Sequence, residues 1–345
     1  MEFLKIDGSF GEGGGQIVRT ALTLSCITRR PIILEKIRQN RKNPGLKPQH
    51  LTAIKILQKI CNAKVEGDEI GSTSFKFMPD NIRDINIRDI NIREDVGTAG
   101  SISLILQVLI PISSICQKKV ELFIKGGTDV LWSPTMDYTR YVLGEAYSRM
   151  GINVSMKLIK RGYYPKGGGE VKLEIFPSQI KSISLIKRNT KKIKLFCSFS
   201  KLPEQIIQEK CKKIELELIK NKFDVEFSIK KEDANDSGSS ILIASIDNNS
   251  IIGVDSVYDK KINEFNLDLN KITKNQLGID ENLADMLVLP ASLTNDMTIF
   301  TVPKISKHLE TNLYVASKFT RCKYGIGKIP GGFEVRIEGV LDTSI

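Results

Sequence analysis

The chain of 345 residues carries 51 Lys and Arg against 40 Asp and Glu, a formal charge of +11, with 41% hydrophobic and 26% charged residues. That length suits a large domain with a smaller one, or two to three domains, and the apolar content is enough for a sizeable core, which excludes global disorder. The basic balance fits a polyanionic partner such as RNA or a nucleotide, although solvated lysines or a genome's base bias give the same excess. The start, MEFLKIDGSFGEGGG, lacks the apolar stretch of a secretory signal. The longest apolar run, 102–115, is interrupted by Ser103, Gln107, Pro111, Ser113 and Ser114. It falls short of the roughly 20 residues that span a bilayer, so it reads as a buried helix and no membrane contact is expected. The cysteines at 26, 61, 116, 197, 211 and 322 form no CxxC or CxxH cluster. That argues against zinc and against a disulfide scaffold, and makes a reducing cytoplasm the natural setting.

In chain order, a short strand at 3–6 runs into the turn Gly11-Glu12-Gly13-Gly14-Gly15. The turn opens onto 16–28, where Ile17, Val18, Ala21, Leu22 and Leu24 predict an amphipathic helix. A strand at 32–37 follows, then a helix at 49–62 started by Pro48, then a strand at 74–77. NIRDINIRDINIRE is a tandem duplication, read as an extended loop or strand insertion. A second glycine turn, Gly97-Thr98-Ala99-Gly100-Ser101, comes after the 87–92 segment and opens onto the apolar helix. Beyond it lie a strand at 120–125, a helix at 136–150 ended by Gly151, and strands at 154–159 and 171–175. Strands and helices alternate with a period of roughly 80 residues, which reads as a repeated α/β module. After Pro177 the texture changes. Residues 181–270 are lysine-rich, have no phosphate-type glycine loop, and hold one helix at 203–221 and the polar loop DANDSGSS. They read as a small inserted α/β domain between 1–180 and 271–345. The glycine-punctuated style resumes at Gly278 with GIDENLADMLVLP, followed by a strand at 297–302.

Four groups of residues could carry chemistry. His308, in Ser306-Lys307-His308-Leu309-Glu310-Thr311-Asn312, is expected in a loop at a strand end. A lone histidine is more often structural, but a neutral imidazole suits attack on phosphorus, and Thr311 and Asn312 are near enough to orient it. His50 follows Arg38, Arg41, Lys42 and Lys47; these are either a solvated basic loop or a phosphate clamp at a helix start. The GEGGG turn lacks the ending of a P-loop. Its Glu12 is either a metal ligand or acid–base group, or a charge that offsets the helix dipole. Finally, Trp132, Pro134 and Tyr138 follow the turn Gly126-Gly127-Thr128-Asp129. They would either sandwich a flat base or, the favoured view, pack as ordinary core.

Together these pieces resemble the RNA 3′-terminal phosphate cyclase family along essentially the whole chain. The resemblance is carried in order by DGSFGEGGGQIVRTALTLS, IRQNRKNPGLKPQHLTA, GTAGSISLILQVLIP, KGGTDVLWSPTMDY, RGYYPKGGGEV, ENLADMLVLP and SKHLETN. It implies an α/β (α+β) fold of three βαβαββ modules with a small inserted domain. It implies an ATP-dependent ligase that converts an RNA 3′-phosphate to a 2′,3′-cyclic phosphate through histidine–AMP and RNA–ppA intermediates, with magnesium or manganese. A ribosome-biogenesis branch of the family lacks the nucleophilic histidine, so His308 points to the enzyme branch. Carried over residue by residue, His308 is the nucleophile, and Glu12 helps to bind metal or position the nucleotide phosphates. Arg19, Arg38 and Arg41 neutralise phosphate charge, and Gln49 and His50 support the RNA end. Gln107, Pro134, Tyr138, Asn282, Leu283, Ala284, Asp285 and Met286 form the adenosine pocket, with Asp285 its main polar contact. At Asn282 the family often has an aromatic or histidine side chain that covers the adenine; an amide stacks less. A non-catalytic RNA-processing partner and a carboxyvinyl transferase of related fold are the competing readings.

Overall fold

A computed structural model describes residues 2–80 and 90–340. Most of the tandem duplication, 81–89, lies outside them.

The first sheet is built from β1 (Leu4–Asp7), β2 (Ile32–Glu35), β3 (Lys64–Glu66) and β4 (Phe75–Met78), in the order β1-β2-β4-β3. Strands β1 and β2 are parallel, joined by α1 (Gln16–Thr28); α2 (Pro48–Cys61) leads to the antiparallel pair β3–β4. Parallel neighbours need a crossover, and an amphipathic helix supplies it while covering the sheet. The second sheet repeats the plan with β5 (Ile90–Asp95), α3 (Ile102–Ser114), β6 (Val120–Gly126), a second helical stretch, β7 (Val154–Lys160) and β8 (Gly169–Ile175), in the order β5-β6-β8-β7. That helical stretch is α4 (Met136–Tyr138), a π-helical turn (Thr139–Leu143) and α5 (Gly144–Arg149), where the sequence suggested one regular helix.

The next strand, β9 (Ser184–Leu185), is followed by a separate five-stranded sheet. Its strands are β10 (Lys192–Ser200), β11 (Asp224–Lys231), β12 (Gly238–Asp247), β13 (Ser250–Asp259) and β14 (Glu264–Phe265), with α6 (Glu204–Lys220) across it and α7 (Asn270–Thr273) after it. The last segment is α8 (Glu281–Ala291), β15 (Met297–Val302), α9 (Lys307–Phe319), β16 (Lys323–Ile329) and β17 (Gly332–Glu338). Here β9 returns to pair in parallel with β15, giving β9-β15-β17-β16, the strand order of the first two sheets. The chain is thus a mixed α/β fold with repeated sheet–helix modules.

Two apolar cores follow from this layout. The larger lies among the four-stranded sheets and the helices between them, where α1 packs on α3 and α9, and α9 packs on α8. Helix α3 is at its centre: every residue except Leu104 and Gln107 is buried. The smaller core, Ile193 to Ile272, belongs to the five-stranded sheet and α6, which buries only the stripe Ile207, Cys211 and Leu218. A charge cluster spans the two parts. Arg161, at the end of β7, reaches Asp129 at 3.0 Å, Asp137 at 2.7 Å and Glu232 at 2.5 Å. The arginine and both aspartates are almost fully buried, so each charge there depends on its partners.

Candidate active site

His308 is set by the start of α9. Ser306 is the N-cap: its Oγ accepts the Leu309 N–H at 2.9 Å and itself donates to Asp285 Oδ1 at 2.5 Å. His308 therefore sits in the first turn of a helix and not in a loop as the sequence suggested; the capping serine begins the helix soon after β15. Thr311 and Asn312 do not orient the ring. Thr311 Oγ1 donates to Lys307 O, and Asn312 is spent on Thr20 and the Asp285 carbonyl. The partner is Glu12, whose Oε2 lies 2.8 Å from His308 Nε2. Arg41 holds the other oxygen of the same carboxylate. Burial lowers the His308 pKa, Arg19 and Arg41 lower it further, and Glu12 opposes them. The ring is neutral at pH 7, with a lone pair available.

The glycine turn carries Glu12 between α9 and the basic loop. Gly11 and Gly13 adopt φ of +65° and +59°, which L side chains rarely adopt. A Cβ on Gly15 would lie 2.6 Å from His50 Nε2, and one on Gly13 2.6 Å from Asn40 Nδ2. The glycines thus make room for neighbouring side chains. His50 is buried against this turn, with Nδ1 accepting the Lys47 N–H at 3.1 Å. Burial, then Arg19, Arg38 and Lys47, push its pKa down to about 3. The neutral ring carries its hydrogen on Nε2, towards the start of α1.

Arg19 projects from α1, with Nη2 donating to Gln16 Oε1 at 3.1 Å. Among the described residues it makes no ion pair. Burial draws its pKa to about 10, and Asp285 works the other way, so it stays charged at neutral pH. A cleft of about 470 Å³ brings Arg19 and His308 together with Gln107, Pro134, Asn282, Asp285 and Met286. Burial is the main cause that raises the Asp285 carboxyl to about 8; the Ser306 hydrogen bond pulls the other way.

Other expected site residues lie elsewhere. Tyr138, Leu283 and Ala284 are buried behind the wall. The Tyr138 hydroxyl donates to Asp280 Oδ1 at 2.8 Å, and that carboxylate caps α8. Arg38 Nη1 donates to Asn43 O at 2.9 Å and Gly45 O at 3.3 Å, bracing the basic loop. Gln49 Oε1 lies beside the second glycine turn, 3.2 Å from where a Gly100 Cβ would be. The core reading of Trp132 fails: the ring is 96% exposed at the cleft rim. Ser306 was missed, although a serine three residues before the apolar Leu309 is a helix-start signal. Asp255, also on the cleft, was missed as well; it comes from the lysine-rich region. Among the described residues no group of three His, Cys, Asp or Glu side chains is placed to hold a metal ion. Both Glu12 oxygens are already engaged. The residues present do not fit a resident metal. No helix among the described residues is long and apolar enough to cross a membrane.

Fold and site define a modular α/β protein whose cleft sets a neutral histidine beside an unpaired arginine, an arrangement suited to nucleophilic attack on an anionic group. Residues 10–326 match the family model described as RNA 3'-terminal phosphate cyclase, and the chain belongs to that family. Relatives named RNA 3'-terminal phosphate cyclase match over nearly their full length. The one from Pyrobaculum aerophilum is 35% identical over 98% of both chains. That from Saccharolobus islandicus is 39% identical over 97% of this chain and 99% of its own. A third, from Methanococcoides burtonii, is 38% identical over 94% of this chain and 97% of its own.

Proposed function

We propose that the protein is an ATP-dependent RNA 3′-terminal phosphate cyclase, a ligase of the histidine-bearing branch, with His308 as the residue that carries AMP. The observation that carries this reading is the neutral His308 sharing one cleft with the unpaired Arg19. In the first step the imidazole attacks the α-phosphorus of ATP, an N–P bond forms and the bond to pyrophosphate breaks. The attacking nitrogen must be free of its proton. That nitrogen is Nδ1 as the ring stands, or Nε2 once Glu12 has released it and the proton has moved to Nδ1. Arg19 neutralises charge building on the phosphates, and the positive end of the α9 dipole lies in the turn that carries His308. In the second step an RNA 3′-phosphate oxygen attacks the AMP phosphorus and frees His308, giving RNA–ppA. In the third, the neighbouring 2′-OH attacks the terminal RNA phosphorus and AMP leaves. A phosphate monoester has a poor leaving group; adenylylation supplies a good one, and the last attack is intramolecular.

Arg41, Arg38, Gln49 and the Nε2–H of His50 are proposed to receive the RNA end. Gln107, Pro134, Asn282, Asp285 and Met286 are proposed to line the adenosine site, with Tyr138, Leu283 and Ala284 supporting it from behind. Magnesium or manganese would arrive on the triphosphate, since Glu12 is engaged by His308 and Arg41. The chain is proposed to comprise three βαβαββ modules over 1–180 and 271–345, with 181–270 inserted; the separate core of the five-stranded sheet supports that division. The test is incubation with ATP and an RNA oligonucleotide ending in a 3′-phosphate. A phosphatase-resistant 2′,3′-cyclic end, formed with ATP and not without it, is expected. An unchanged 3′-phosphate would overturn the reading.

A further inference from the structure

Trp132 is the single tryptophan in 345 residues, and it stands 96% exposed at φ +66°. A bulky residue in the left-handed region is disfavoured, and such strain persists only where the surroundings impose it. Here they do. The loop is fixed on one side by Asp129, whose carboxylate is gripped by Arg161. It is fixed on the other by the Thr135 N–H, which donates to Asp255 Oδ2 at 2.6 Å. Between these anchors Ser133 Oγ donates to Val130 O at 3.0 Å and closes a tight turn. The backbone is thus held so that the indole stands out at the rim of the cleft that contains His308.

The rest of that lining sharpens the point. Among the described residues, Trp132 is the only aromatic ring on the cleft apart from the imidazole of His308. The polar groups there, Asn282 and Asn266 among them, can hydrogen-bond a heterocycle but offer it no π-face. An indole with both faces in water, carried on a constrained loop at the rim of the cleft that holds His308, suits stacking on a nucleobase.

We propose that Trp132 stacks on the purine base of the nucleotide whose phosphate His308 attacks. This rests on the reading of the cleft as a nucleotide site. The backbone strain at Trp132 is then kept because it holds the residue out at the cleft rim, where the ring can reach the base. The ring supplies base affinity, and Arg19 supplies phosphate affinity.

Having one tryptophan makes the test direct. ATP added to the full-length wild type should quench or blue-shift the tryptophan emission. Tripolyphosphate, which has no base, should compete with ATP without producing that change. Trp132→Ala should raise the ATP concentration that half-saturates AMP labelling by about tenfold, with Trp132→Phe keeping most of the affinity. Tripolyphosphate competition should be equal in all three. Trp132→Gly relieves the left-handed strain, so it should weaken ATP binding while raising the thermal midpoint; that pairing separates a binding role from loss of fold. If ATP labels the wild type but its emission is unmoved and Trp132→Ala labels as well as wild type, the stacking proposal is wrong and the nucleotide site stands. If emission answers only to a 3′-phosphorylated RNA, the ring belongs to the RNA base and the proposal is overturned. If ATP neither labels nor binds the wild type, the nucleotide reading itself fails.

Discussion

His50 should make the protein sensitive to acid. Its ring is buried, its Nδ1 is committed to the Lys47 N–H, and Arg19, Arg38 and Lys47 all oppose a further positive charge. The folded chain therefore takes up that proton only near pH 3, against the ordinary imidazole value of 6.5. The unfolded chain takes it up near 6.5, so between these values the unfolded state binds more protons and stability falls as pH falls. Above 6.5 neither state is protonated there, and the full stability is present. At about 1.36 kcal/mol per pH unit, acidification from pH 7 to pH 5 should remove about 2 kcal/mol through this residue alone. His50→Gln keeps an acceptor near the Lys47 N–H but does not titrate. Its own cost appears equally at both pH values and cancels in the comparison. Urea midpoints of wild type and variant, measured at pH 7 and pH 5, should show the variant losing about 2 kcal/mol less. Parallel losses would mean that His50 accepts a proton in the folded state, and that its Nε2–H is not a fixed neutral donor beside α1.

The charge cluster that spans the two parts should be expensive to break. Arg161→Met leaves Asp129 buried without its cation and Asp137 with only Arg140, 3.7 Å away, so stability should fall by about 3–5 kcal/mol, read as a lowered thermal midpoint. An unchanged midpoint would mean that those carboxylates are held neutral or solvated. At the site itself, Arg41 is one of the cations that keep the His308 pKa down. Arg41→Ala should therefore move the acid limb of AMP labelling to higher pH; a limb that stays in place would show that Arg41 does not act on the ring's charge.

Much of the chain around the larger core was legible because its periodicity is strong. The apolar positions of α1 gave its full span, and α3 was recognisable as a buried helix because almost every position is apolar. The strands of the five-stranded sheet were harder: β10 starts with lysines alternating with buried residues, and β12 is buried on both faces and rich in serine, so composition hid them. The helix start at Ser306 was also passed over, which left His308 in a loop. At the site, residue types were readable and their pairing was not. Glu12 and His308 meet only because α1 packs against α9, a tertiary fact with no local trace. Tyr138 and Pro134 are close in sequence, yet one is buried under α8 and the other lines the cleft. Trp132 was read as core because tryptophan is usually well buried, and its left-handed backbone has no signature in composition.

The most direct measurement is covalent transfer from ATP labelled at the α-phosphate to the wild type and to His308→Ala. His308 is partly exposed and among the described residues its only ion-pair partner is Glu12, so the variant should keep its fold, as far-ultraviolet circular dichroism and the thermal midpoint would show. The wild type should acquire an acid-labile, alkali-stable label of AMP mass on residue 308, and the folded variant none. A folded His308→Ala protein that still becomes labelled would contradict the assignment of the nucleophile.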